Sequence, residues 1–166
     1  IPLVEAIKEG SITYFDPVSP YMAQLARLVD LDGLRQADLT VIIDSMHGSG
    51  ARYLHSCLSG NQLRLAEIRS DPNPSFPGMH QPEPIVQNLT GLSNLVKQVK
   101  ANVGIATDGD ADRVGIIDEN GEFITQLQVF ALLCLYLLEV RSKRGPMVKT
   151  TTTTSMVFRL AELFDV

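Results

Sequence analysis

Asp108, Asp110 and Asp112 stand at alternate positions in the run Asp108-Gly109-Asp110-Ala111-Asp112-Arg113. Three carboxylates so close repel one another strongly unless a cation lies between them. Oxygen-only ligands suit a hard divalent ion, magnesium or calcium, rather than zinc. Gly109 and Ala111 carry little or no side chain, so the backbone can curl and bring the carboxylates together. Arg113 follows directly and keeps its proton at any physiological pH. A divalent cation beside a fixed guanidinium is what a transferring phosphoryl group needs, because its charge is then neutralised from two sides. A solvated acidic turn is the bland alternative, but three spaced carboxylates, small residues and an arginine rarely meet without a ligand. Counted from Asp108, Glu119 is twelfth, as in a helix-flanked calcium loop, yet Arg113 is sixth, where such a loop requires glycine. The calcium-loop reading is therefore rejected.

Two further residues are candidates for contact with a substrate. His47, beside Gly48, either faces a cleft or bonds the backbone of its own turn, and lone histidines are usually satisfied locally. Lys149 either reaches a substrate phosphate or is a solvated strand lysine, and both readings stand. His55 and His80 have no partner at metal-ligand spacing. Thr150 to Thr154 lack the glycines that let backbone N–H groups converge on a phosphate, so they read as strand. Gly48-Ser49-Gly50 is too short for a nucleotide fingerprint.

The acidic loop needs rigid flanks, and the chain supplies them. Leu39 to Asp44 is a continuous run rich in β-branched residues, the pattern of a strand buried on both faces. Leu63 to Ile68 alternates apolar and polar residues, as a half-buried strand does. Val103 to Ala106 and Arg113 to Asp118 are short strands on either side of the loop, and Asn120-Gly121 signals a tight turn after the second. Helices are expected over Pro20 to Asp30, with Ser19 as its cap, and over Ala51 to Leu58, Leu89 to Ala101 and Gln126 to Arg141. Met147 to Thr154 is expected as a fifth strand, because threonine is β-branched and poor in helix. Ser155 then caps a last helix, Met156 to Phe164. Pro72, Pro74, Pro77, Pro82 and Pro84 make the intervening segment an extended loop. Strands alternating with helices point to a layered α/β sheet of about four strands. A domain boundary is placed between Glu119 and Thr125, dividing an α/β/α domain over 1–120 from an incomplete second unit over 121–166.

The chain has 166 residues, 45% hydrophobic and 20% charged, an ordinary globular composition. A net charge of −5 argues against an extended nucleic-acid surface. Val129 to Val140 is interrupted by Glu139 and is too short to span a bilayer, so no membrane partner is expected. No secretory signal opens the sequence, which also lacks an initiator methionine, so its start reads as a cut or processing point. Cys57 and Cys134 suit a reducing cytoplasm.

Thr107-Asp108-Gly109-Asp110-Ala111-Asp112-Arg113 resembles the metal-binding signature of the phosphohexomutase superfamily, the phosphoglucomutases and phosphomannomutases. Asp44 to Gly50 resembles the glycine turn of that family's second domain, and Asp71 to Pro77 its proline-rich loop, with Pro82-Glu83-Pro84 and Asn88-Leu89 following. Val148-Lys149-Thr150, with Ser155 and a helix after it, resembles the start of the third domain. The likeness runs from about Ile12 to the C-terminus, and only the acidic signature is highly specific. The resemblance implies a multidomain enzyme that moves a phosphoryl group between the 1- and 6-hydroxyls of a hexose phosphate through a bisphosphate. It implies Mg²⁺ held by Asp108, Asp110, Asp112 and a phosphoserine of the first domain, with Arg113 orienting the phosphate. The serine motif, the sugar-recognition loop and the terminal phosphate loop do not occur in these residues, so the chain alone is expected to be inactive.

Two other functions compete. One is a phosphatase with an aspartyl nucleophile, which also uses spaced aspartates after a strand, although there the motif comes early and a distant lysine and acidic pair follow. The other is a non-catalytic mutase-like scaffold, against which the intact acidic loop argues. The apolar residues from Val129 to Leu138 leave the second unit in need of cover, and dimerisation through residues 126–154 is the expected remedy.

Overall fold

The structure is a computed structural model and describes residues 1–166. Five strands form one mixed sheet: β1 (Thr40–Asp44), β2 (Arg64–Ile68), β3 (Val103–Thr107), β4 (Val114–Asp118) and β5 (Phe123–Ile124). Their spatial order is β2-β1-β3-β4-β5. β1 runs parallel to both β2 and β3, whereas β3, β4 and β5 are joined antiparallel. The carboxyl ends of β1, β2 and β3 therefore share one edge of the sheet, the edge at which open α/β sheets place ligands.

Helices cover both faces. α1 (Leu3–Lys8), α2 (Val18–Leu28), α3 (Leu31–Arg35) and α4 (Tyr53–Leu58) precede β2, and α5 (Thr90–Val99) precedes β3. α6 (Gln126–Leu135) and α7 (Met156–Phe164) follow the sheet. Successive side chains of a strand point to opposite faces. Ile42 accordingly joins Leu92, Val96 and Ile117 in one buried cluster, while Val41 and Ile43 join Leu31, Cys57 and Leu58 in another. α5 lies so close to β3 that a Cβ on Gly104 would stand 2.9 Å from both Leu92 and Val96. The absence of a side chain at Gly104 sets that helix-to-sheet distance.

The layered α/β expectation holds, with five strands rather than about four. β5 is the addition. It falls inside the expected boundary between Glu119 and Thr125 and leads straight into α6, whose start is closed by a capping box of Thr125 and Gln128.

Three local expectations are corrected. α2 begins at Val18, ahead of the expected Ser19 cap, and Asp16 accepts from the Val18 N–H and the Ser19 hydroxyl. A carboxylate two residues before the helix supplies the capping oxygen that Ser19 was expected to give. Ser155 precedes α7 without a side-chain capping bond, and the Thr154 hydroxyl accepts from Met156 N–H instead. Met147 to Thr154 is not a strand. No strand lies alongside to complete a ladder, and the threonines bond to one another, Thr150 to Thr152 at 3.1 Å and to Thr153 at 2.9 Å. Short hydroxyl side chains that find local partners compete with extended pairing.

α6 runs into a wider π-helical turn over Tyr136–Val140. Ala131 and Leu138 are buried, but Leu132, Leu133 and Val140 are 57%, 56% and 65% exposed. The apolar surface seen in the sequence is thus largely open in the structure. No helix is long and apolar enough to cross a membrane.

Candidate metal centre

The six residues Asp108 to Arg113 close the hairpin between β3 and β4, where Thr107 pairs with Val114. Asp108 follows the last residue of β3 and is completely buried. Ala111 turns the loop with φ +63°, a left-handed conformation uncommon for a residue with a Cβ, and its N–H donates to the Asp108 carbonyl at 3.2 Å. The turn brings one carboxylate oxygen from each of Asp108, Asp110 and Asp112 within 4.8 Å of the others. With Mg–O distances of about 2.1 Å, adjacent oxygens around Mg²⁺ stand about 3 Å apart and opposite ones about 4.2 Å, so the three carboxylates must draw closer together to share the ion. The all-oxygen donor set, converging from one loop, fits magnesium.

Two other segments fix the loop from outside. Ser49 N–H donates to the Gly109 carbonyl at 2.9 Å, and Gly109 N–H donates to the Pro82 carbonyl at 3.0 Å. Gly109 has no room for a side chain, since a Cβ would stand 2.8 Å from Pro82 and 3.2 Å from the Phe76 ring. The glycine turn and the proline-rich loop therefore hold the acidic loop between them.

Arg113 lies across the carboxylates. Its backbone N–H donates to Asp108 Oδ1 at 3.0 Å and its Nε to Asp108 Oδ2 at 2.7 Å. Nε is also 3.3 Å from Asp112 Oδ1, and Nη1 is 3.1 Å from Glu83 Oε1. Burial pushes the Asp108 carboxyl up, but the hydrogen bonds and charge of Arg113 outweigh it and hold the group below its ordinary 3.8. Hydrogen bonds donated to Glu83 and then Asp108 raise the guanidinium further above its already high value.

The lowered Asp108 has a consequence for acid stability. A carboxyl with a depressed folded pKa is protonated first in the unfolded chain, so stability falls as pH drops below about 4. Asp16 and Asp118 are lowered as well, by the Ser19 hydroxyl and the Glu122 N–H respectively, and add to the same slope. Urea unfolding of the metal-free chain between pH 6 and 3 should therefore show a steeper acid loss than the Asp108→Asn variant. Equal slopes would remove Asp108 from this account.

The other sequence candidates stand outside the carboxylate cluster. His47 sits in the turn after β1 with φ +58°, its Nδ1 within 2.9 Å of the Asp71 carbonyl. Its N–H donates to Arg69 O at 2.8 Å and its carbonyl accepts from Asn73 N–H at 2.9 Å. These bonds match the turn-bonding reading of His47. Lys149 Nζ lies 4.6 Å over the Phe158 ring and donates to the carbonyls of Thr150 and Thr153. None of these contacts brings it to the acidic loop.

Asp44, Glu83 and Asn88 entered the sequence reading only as members of the resembling segments, with no role assigned, and Arg69 did not enter it. Arg69, left-handed with φ +51°, follows β2 and donates through Nε to the fully buried Asp44 at 2.7 Å and through Nη2 to its other oxygen. The same Nη2 reaches the Asn88 carbonyl at 2.9 Å. Asn88 Nδ2 in turn clamps the carbonyls of Gln81 and Glu83, at 2.7 and 2.9 Å. One polar chain thus runs from β1 through the proline-rich loop to Arg113. The sequence signal that could have pointed to it is Glu83, a charge held between two prolines.

A family model described as phosphoglucomutase/phosphomannomutase, alpha/beta/alpha domain II, matches residues 19–121. The chain belongs to this family. The phosphoglucomutase/phosphomannomutase of Thermococcus kodakarensis is 34% identical over 146 residues, which is 88% of this chain and 31% of the relative. The probable phosphoglucosamine mutase of Pyrococcus abyssi is 37% identical over 154 residues, 91% of this chain and 31% of the relative. A solved structure from Thermus thermophilus, assigned as a phosphomannomutase, superposes with a TM-score of 0.81 at 34% identity. That match covers 89% of this chain and 34% of the Thermus chain. The chain spans about a third of the length of the curated relatives it matches. Family membership leaves the aspartyl-nucleophile phosphatase without support.

Proposed function

We propose that this chain is the metal-binding part of a phosphohexomutase, which moves a phosphoryl group between the 1- and 6-positions of a hexose phosphate by way of an enzyme phosphoserine. The observation that carries the reading is the convergence of Asp108, Asp110 and Asp112, with Arg113 across them, at the carboxyl end of β3. Asp108, Asp110 and Asp112 would hold Mg²⁺, which neutralises negative charge on phosphoryl oxygens when bound. Arg113 holds the same charge from the other side and orients the phosphate through its planar donors. The phosphoserine, as a further oxygen ligand, and the loops that recognise the sugar belong to parts of the intact enzyme outside these residues. The chain alone therefore binds metal weakly and does not catalyse the transfer.

Calorimetric titration of the 166-residue chain with MgCl₂ tests this. Affinity is expected in the millimolar range, as for an Mg²⁺ site that normally shares its ion with a phosphate. Asp110→Asn or Asp112→Asn is expected to weaken binding by more than about tenfold, the loss that even an outer-shell partner brings. Micromolar affinity would show a self-sufficient site and end the shared-ligand reading. Binding unaffected by either substitution would place the ion elsewhere.

A further inference from the structure

Two of the three aspartates that would hold a metal are also partners of Arg113. Nε faces this side, 2.7 Å from Asp108 and 3.3 Å from Asp112. Nη1 faces the other way, 3.1 Å from Glu83 Oε1. Glu83 lies outside the cluster of convergent carboxylates. A dication among the aspartates repels the guanidinium and draws on the same oxygen lone pairs, so the Nε side weakens as the site fills. The Glu83 side does not.

Glu83 is also built to stay in place. It stands between Pro82 and Pro84, its carbonyl is held by Asn88 Nδ2 at 2.9 Å, and Asn88 is held in turn by Arg69. The adjacent Pro82 carbonyl accepts from Gly109 N–H at 3.0 Å, so Glu83 is fixed in the same frame as the acidic loop. Ion pairs as open as Arg113–Glu83 add little to folding, which leaves position as the useful property of the contact. The closest approaches of Arg113 to these carboxylates use Nε and Nη1, which leaves the Nη2 donors for a phosphoryl oxygen.

We propose that Glu83 is a positioning residue that retains the Arg113 guanidinium at the rim of the site when a divalent cation takes the aspartates, so that metal occupancy sets the arginine's orientation. The inference rests on the magnesium reading above and adds to it a residue and a coupling. It makes the guanidinium the resident cation of the empty loop and an oriented phosphate donor in the filled one.

Nuclear magnetic resonance of the ¹⁵N-labelled chain, titrated with MgCl₂, reads both parts. The amides of Asp108 to Asp112 report occupancy, and the Arg113 Nε–H signal, identified by its loss in Arg113→Lys, reports the guanidinium. In the native chain both should shift together and the Nε–H signal should stay sharp. In Glu83→Gln the amides should shift as before, whereas the Nε–H signal should be lost to exchange once metal is added. An Nε–H signal that ignores the metal while the amides move overturns the coupling, and this outcome needs no variant. A signal that stays sharp in metal-loaded Glu83→Gln overturns the role of Glu83. Amides that never move overturn the magnesium reading and this inference with it.

Discussion

Replacing Arg69 with methionine is expected to destabilise the fold by about 3 kcal/mol, toward the lower end of the range for breaking a buried ion pair. Asp44 is completely buried at the end of β1, and its two carboxylate oxygens accept from Nε and Nη2 of Arg69. Only the Met46 N–H, at 3.1 Å from Oδ1, remains when the guanidinium goes. The estimate stays at the lower end because the Arg69 side chain is 22% exposed, so water already moderates its charge. For a domain of this size the loss corresponds to a fall in Tm of roughly 6–12 °C. Replacing both partners together, as Asp44→Leu with Arg69→Met, should recover part of it, because no unpaired charge is left inside. A single variant that melts with the native chain would show that Asp44 finds another partner and that the pair does not hold the β1 and β2 ends together.

The same pair shows why part of the site escaped the sequence. Asp44 ends β1 and Arg69 follows β2, 25 residues further on, so no local spacing joins them. Their meeting depends on β1 pairing parallel with β2, where Asp44 lies opposite Ile68. The acidic loop was legible because all its parts are contiguous and because two recognisable strands flank it. β1 was legible because a strand buried on both faces cannot disguise its apolar run. β5 was not, since two residues carry no periodicity. Thr150 to Thr154 misled in the opposite direction. Propensity named a strand, but a strand exists only with a partner beside it, and none lies alongside that segment. The π-helical turn after α6 left no local mark at all, for the sequence there continues the helical pattern.

Gly48→Ala is expected to do the most damage to the metal loop from outside it. Gly48 does not need an unusual φ, and its importance is one of space. A Cβ there would lie 2.7 Å from the Gly109 carbonyl oxygen, 2.8 Å from that of Asp108 and 3.0 Å from the Gly109 carbonyl carbon. All three are backbone atoms of the acidic loop, so no side chain can rotate away to make room. The loop must move. The Ser49 N–H to Gly109 bond, 2.9 Å long and next to the inserted methyl, is the first to stretch. Overpacking of this kind costs about 1–3 kcal/mol in stability. Its effect on metal affinity should be larger in proportion, because the carboxylates converge only while the loop keeps its curl. A drop of at least about tenfold in Mg²⁺ affinity is expected, comparable with loss of an outer-shell partner. Gly91→Ala supplies the control, since nothing lies within 4 Å of its added Cβ and the residue is inside α5. There the methyl should raise stability by about 0.5–1 kcal/mol through helix propensity and leave metal binding alone. If Gly48→Ala binds Mg²⁺ as the native chain does, the turn after β1 does not shape the site, and the frame reaches the aspartates through the proline-rich loop alone.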